Sequence, residues 1–266
     1  MTTYLWELRK LRHQKRTMLG LFGVIAPSVI FGIDLAARSG TPNDIAFGPA
    51  LRQTGLAFPL VLLFFGAFWL FPLVTSLVAG DIVASEYQRG TLKTILTRSV
   101  GRSRVFWSKV LATLTYTVLA MIVMTIAAVI VGSIVSGLSP ITDLSGKPVG
   151  VGRGLLLVFG ATTVYLIPLL AIAAFGIYLS TATRTSAAAV VGALMLTFLL
   201  RLIEILPGLH GVHPYLITTQ FDAWMGLLRN PIDWAPIGHA AWVCALWILP
   251  FLAASWWTFK HRDVTA

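Results

Sequence analysis

Hydrophobic and polar positions fall in long blocks along this chain. Six apolar runs stand out, at about 17–36, 56–79, 106–136, 155–180, 186–206 and 237–259. Each approaches or exceeds the roughly 20 residues a helix needs to cross a bilayer. The pattern predicts an all-α membrane protein with six transmembrane helices. The third run holds more apolar residues than one crossing needs, so it is expected to tilt or to project beyond the bilayer. Ahead of the first run, residues 1–16 form an amphipathic pattern. Tyr4, Leu5, Leu8 and Leu11 share one helical face, and Arg9, Arg12, His13 and Arg16 lie largely on the other. Such a helix lies along a membrane surface with its cations on anionic lipid. A basic leader that only orients the first run is the alternative.

The polar segments differ from one another. Gly80–Lys109 is a basic island that holds six of the 20 Lys/Arg residues: Arg89, Lys93, Arg98, Arg102, Arg104 and Lys109. Gly90 permits a tight turn, and Thr91 is placed to cap a short helix from Leu92 to Thr97. Within it Leu92, Ile95 and Leu96 recur at i, i+3, i+4 and share a face. With Lys93 and Arg98 beside it, that face belongs at the membrane surface or in a partner's groove. Gly101 ends the short helix. Residues 137–154 are rich in Gly, Ser and Pro and are expected to be a flexible loop. Residues 207–236 carry an apolar stripe of Ile217, Phe221, Trp224, Met225 and Leu228. The stripe predicts a short helix on or dipping into the outer leaflet; a surface helix packed on the other loop is the alternative.

Charge then orients the chain. Only 11% of residues are charged and 57% are hydrophobic, where soluble domains run near ~25% charged. With the N-terminus inside, the inner segments collect 14 cations and the outer ones 5, namely Arg38, Arg52, Lys147, Arg153 and Arg229. This fits the positive-inside rule with both termini cytoplasmic. The formal charge of +10 is thereby assigned to loops and lipid, not to nucleic acid. Trp107, Trp234, Trp256 and Trp257 fall near run ends, where indoles favour the interface. Pro72 and Pro168 sit inside apolar runs and are expected to kink their helices, as are Pro27 and Pro250. Ala188 with Gly192, and Gly132 with Ser136, give spacings for close helix approach, within one chain or between two.

Candidate chemistry is sparse. The nearest string to a phosphate-binding loop, Ser145-Gly146-Lys147-Pro148, lacks the first glycine and the hydroxyl residue. If ATP powers this protein, another chain binds it. His210 and His213 have no carboxylate or cysteine motif beside them, and the lone Cys244 makes no metal cluster, so no metal site is expected. Asp81 and Glu86 are conceivable as an acid/base pair, but no histidine or ligand pattern supports them, so no enzyme is expected. Arg201 and Glu204, at i and i+3 near the outer end of the fifth run, are either a snorkelling pair or a polar point on a substrate path.

The run Glu86, Gly90-Thr91-Leu92, Leu96, Ser99-Val100-Gly101-Arg102 and Lys109 resembles the signature of ATP-binding-cassette (ABC) type-2 permeases. That signature is E-x-x-x-G-T-L…L-L…P-V-S-R…K. Ser99 stands where the family often has proline, and Gly101 where it often has serine. The resemblance implies that residues 1–266 are one transmembrane permease domain of the plasma membrane. Residues 1–16 would be its elbow helix and 80–109 its coupling region. The outer amphipathic segment, 207–236, would be re-entrant. Glu86, Gly90, Thr91, Leu92, Ile95, Leu96 and Arg102 would engage a separate ATP-binding subunit that carries ATP and Mg. A second permease subunit, alike or different, would complete the transporter. The cargo would be a hydrophobic or amphipathic compound moved outward. A proton-coupled secondary carrier and an integral membrane enzyme are the competing classes.

Overall fold

Each apolar run becomes helical, but not every run becomes one helix. The computed structural model describes residues 2–37, 48–91 and 101–261. The chain starts with α1 (Thr2–Arg12), turns at His13 and Gln14, and continues as α2 (Lys15–Ala37). Then come α3 (Gly48–Gln53), α4 (Ala57–Gly66), α5 (Leu70–Asp81), α6 (Ala84–Gln88) and α7 (Arg102–Ser136). A two-stranded ladder of β1 (Ile141–Thr142) and β2 (Pro148–Val149) leads to α8 (Val151–Thr183) and α9 (Ser186–Ile205). The 3-10 turns Pro207–Leu209, His213–Tyr215 and Thr219–Leu228 precede α10 (Ala235–His261).

Among the described residues, α2, α7, α8, α9 and α10 are long and apolar enough to cross a membrane. The chain is thus an α-helical protein of multi-pass membrane character. The second apolar run departs from expectation: it is two helices, α4 and α5, bent by 64° at a short break. Pro72 explains part of this. It is the third residue of α5, where no intrahelical amide bond is lost. It therefore helps start a helix and does not kink one. Gly66 supplies the room: a Cβ there would lie 2.1 Å from the ring of Phe71. Pro27, Pro168 and Pro250 stay inside continuous helices. The third run grows at its N-terminal end. α7 has 35 residues, or about 52 Å at 1.5 Å per residue, so it exceeds the roughly 30 Å apolar layer.

α8 is the axis of the bundle, touching α5, α7, α9 and α10. Small residues let neighbours close on one another. Gly176 of α8 meets Ala79, and a Cβ on Gly80 would fall 2.7 Å from Val190 of α9. Gly132 lies against the backbone of Gly55, and Gly192 against Leu179. The close approaches made by these two glycines are therefore contacts within this chain.

Two segments are more ordered than their composition suggests. In 137–154, Ile141 pairs with Val149 and Thr142 with Pro148. Asp143 Oδ1 closes the turn by accepting from the amides of Ser145 and Lys147, at 2.9 and 2.8 Å. Composition predicted flexibility because it does not register an Asx turn. In 207–236 the stripe turns inward. Ile217, Phe221, Trp224 and Leu228 are buried, and the Phe221 ring packs tilted against Tyr165 of α8, centroids 4.9 Å apart. The segment fills the gap between α8 and α10, and the amide of Leu144 also donates to Leu228 O at 2.9 Å. It is neither a regular α-helix nor laid out on the surface.

Candidate functional site

The N-terminal helix decides one end of the molecule. On α1 the inward stripe is Glu7 and Leu11, buried, with Tyr4 and Leu8, half-buried, while Leu5 and Trp6 are exposed. Leu5 thus leaves the face the sequence pattern assigned to it, and a carboxylate takes the inner position. Glu7 is only 2% exposed and needs a cation. It finds Lys109 of α7, itself 1% exposed, with Nζ 2.8 Å from Glu7 Oε1. The same Nζ lies 2.7 Å from Glu86 Oε1 of α6 and 3.3 Å from Ile82 O. Lys10 of α1 completes the group, donating to Glu86 and lying 3.9 Å from Glu7. Two cations and two anions from three helices thus form one buried, neutral cluster. Burial alone would raise the Glu86 pKa, but Lys109 and then Lys10 outweigh it and hold the carboxyl below its ordinary 4.5.

A second polar joint sits beside it. Arg16 at the start of α2 donates to Asp81 Oδ1 at 2.7 Å and to Ser186 Oγ at 2.9 Å. The Ser186 hydroxyl also donates to Asp81, so α2, α5 and α9 meet at one carboxylate. Ser180 of α8 accepts from the amides of Val83 and Ala84, at 3.2 and 2.9 Å, which satisfies the start of α6. Asp81 and Glu86 therefore answer to separate cations and do not share a proton site.

The island residues divide accordingly. Glu86 and Lys109, far apart in the string, are brought into contact. Gly90 has φ +66°, which favours glycine. Thr91 is exposed and reaches back to Glu86 O at 3.5 Å. Arg102 Nη1 donates to Lys260 O at 2.8 Å, at the end of α10, where a cation suits the helix carbonyls. Leu92, Ile95 and Leu96 lie outside the described residues.

The opposite end of the bundle is built otherwise. Arg201 and Glu204 of α9 pair at 2.8 Å, and the guanidinium lies 5.1 Å over Phe68, in the break between α4 and α5. Close by, a cleft of about 450 Å³ is lined by His210, His213, Thr219, Gln220, Asp222 and His239, with Pro214, Ala223 and Pro236. The Asp222 carboxylate opens to this cleft, yet the surrounding protein desolvates it enough to raise its pKa above 3.8; Arg201 opposes this and Glu204 adds to it. Among the described residues no group of three His, Cys, Asp or Glu is placed to hold a metal ion.

The geometry at both ends can now be set beside known families. A family described as "Protein of unknown function (DUF2705)" matches residues 41–265. The chain belongs to the DUF2705 family. No curated protein matches it. The DUF2705 match takes in Glu86, Lys109, Arg201 and Asp222 but stops short of α1, so Glu7 and Lys10 lie outside it. Sequence reasoning missed Glu7, Lys10 and Asp222 as site residues. A signal existed for Glu7: it is an acid at i+3 from Tyr4 and i−4 from Leu11, on an otherwise apolar face. Asp222 gave no such sign: its cleft is folded from one stretch, residues 210–239, by successive 3-10 turns that follow no regular spacing.

Proposed function

We propose that the chain is the transmembrane subunit of an ABC transporter of the type-2 permease kind. It moves a hydrophobic or amphipathic compound outward with ATP hydrolysed on a separate subunit. The observation that carries this reading is the Glu7–Lys109–Glu86–Lys10 cluster. Glu86 and Lys109 are the first and last residues of the signature-like string, and between them runs the basic island. The cluster ties both ends of the island to α1, so a push on the island would reach α1, α5 and α7 together. A buried pair held this way is costly to break, which suits a joint that transmits force.

In this reading α1 is the elbow helix, and Leu92, Ile95 and Leu96, which lie outside the described residues, engage the ATP-binding subunit. The bent α4–α5 pair counts as the sixth span. The α1 end, where Arg9, Arg12, Lys15, Arg89, Arg104 and Arg184 gather, faces the cytoplasm of a plasma-membrane protein. A second copy or a related permease subunit completes the pathway. Catalysis of ATP cleavage is not assigned to this chain.

The test is isolation of the chain with its ATP-binding subunit from native membranes, followed by ATP hydrolysis measurements. Changing Leu92→Asp and Leu96→Asp together would place charge where roughly 1.5–3 kcal/mol per leucine is otherwise gained by burial. The double variant is expected to insert normally and to lose both the ATPase and transport, while Leu157→Ala in α8 keeps both. Full retention by the double variant would reject the docking role.

A further inference from the structure

The cleft at the end opposite α1 is unusual in its hydrogen-bonding arithmetic. Apart from His210, the polar side chains on its walls spend their donors on backbone carbonyls. His213 Nε2 donates to Ile203 O at 3.1 Å, and His239 Nε2 to Pro214 O at 2.9 Å. A carbonyl only accepts, so both imidazoles carry a proton on Nε2, and in a ring with that one proton Nδ1 is an acceptor. The amide nitrogen of Gln220 donates to Pro214 O and Leu216 O, at 2.7 and 3.1 Å. Its Oε1 is the acceptor that remains. The Thr219 hydroxyl donates to His213 O at 2.8 Å and keeps its lone pairs.

Charge points the same way as hydrogen bonding. Asp222 is the one carboxylate lining the cleft among the described residues, and no Lys or Arg lines it. The nearest guanidinium, Arg201, is already paired with Glu204 at 2.8 Å. Taken with that pair, Asp222 leaves one negative charge in excess. A cavity of about 450 Å³ falls in the ~300–1,000 Å³ range of small-molecule sites. A metal ion would need several converging ligands, and no such group is present among the described residues.

We infer that this cleft binds an organic ammonium ion, a primary or secondary amine on an apolar body. The N–H groups of the cation meet the acceptors that Gln220, Thr219 and the two imidazoles present, and Asp222 supplies the counter-charge. As a statement about cargo, this rests on the permease reading; as a statement about binding, it does not.

The experiment uses the full chain in phosphatidylcholine discs at pH 7.5 and the fluorescent primary amine dansylcadaverine, followed by anisotropy against empty discs. The N-acetylated compound has the same body without the cation. The amine is expected to bind roughly tenfold or more tighter than its acetylated form. Asp222→Asn, which preserves shape and removes charge, is expected to weaken amine binding by roughly tenfold and to leave the acetylated compound unchanged. Arg229→Ala, away from the cleft, should bind as the parent does. Equal affinity for the two compounds in the unaltered chain would overturn the inference without reference to any variant. Amine binding that leaves ATP hydrolysis by the intact assembly unchanged would overturn the cargo assignment alone. Stimulation of that hydrolysis by the amine and not by its acetylated form would support both.

Discussion

Glu86 and Asp222 sit at opposite ends of one helix bundle, and their pKa values move in opposite directions. Burial pushes on both. At Glu86, Lys109 and Lys10 more than cancel it and the value falls below 4.5. At Asp222, Arg201 cancels too little, Glu204 works against it, and the value rises above 3.8. The difference separates two kinds of polar site. The cluster at the α1 end is closed: Glu7, Glu86 and Lys109 are buried, Lys10 covers them, and the four charges are paired and neutral in sum, as befits a joint. The other end is open: its acceptors outnumber its donors and one charge is in excess, as befits a place that receives something.

The sharpest way to break the comparison is to unbalance the closed end. Lys109→Met leaves Glu7 and Glu86 facing each other with only Lys10 between them. Removing one partner of a buried pair costs about 3–5 kcal/mol, so the melting temperature should fall by roughly 10 °C. Differential scanning fluorimetry in detergent checks this. A melting temperature within about 2 °C of the parent would mean that the cluster is hydrated and not a joint.

Acid comes next. The lowered Glu86 pKa means that, below 4.5, the unfolded chain takes up its proton more readily than the folded one. The stabilisation from Glu86 is therefore complete above pH 4.5 and is lost as pH falls through the lower, folded value. The melting temperature should fall below pH 4.5, and Glu86→Gln should blunt that fall. Asp222, with its raised value, pulls the other way and favours the acid side. If Glu86→Gln leaves the pH profile unchanged, the cations are not holding that carboxylate.

Smaller effects mark the boundary of the argument. Arg229 and Asp233 form an exposed pair at 2.9 Å, so Arg229→Ala should cost only about 0.2–1 kcal/mol in the same melts. Smallest of all is Asp222→Asn, expected to change stability by about 0.5 kcal/mol or less while altering amine binding strongly. A large stability loss there would make Asp222 a structural residue and erase the contrast.

Much of the fold was legible because membrane helices announce themselves as apolar runs. The helical character of all six runs came from pattern alone; the turn at His13 and Gln14 did not, and the glycine spacings announced close approach without saying to what. The break in the second run did not, because a run of apolar residues does not say whether Pro72 interrupts a helix or begins one. Nor did the inward turn of Ile217–Leu228: its stripe fits helical spacing, but the chain follows 3-10 turns set by the gap between α8 and α10. Glu86 and Lys109 stood out in one string of the sequence, but nothing in that string announced that they pair with each other. Glu7 was harder to find because its partner Lys109 comes from another helix, and pairing across a bundle leaves little trace in spacing; Asp222 was harder because its cleft is shaped by 3-10 turns that no regular spacing announces.

The most direct test of the central claim is ATP hydrolysis by the isolated assembly of this chain with its ATP-binding subunit, in lipid. Hydrolysis should require the partner, and it should be lost along with transport in the Leu92→Asp, Leu96→Asp chain even though that chain inserts. ATP hydrolysis by the pure chain alone, or full transport driven by a proton gradient without nucleotide, would contradict it.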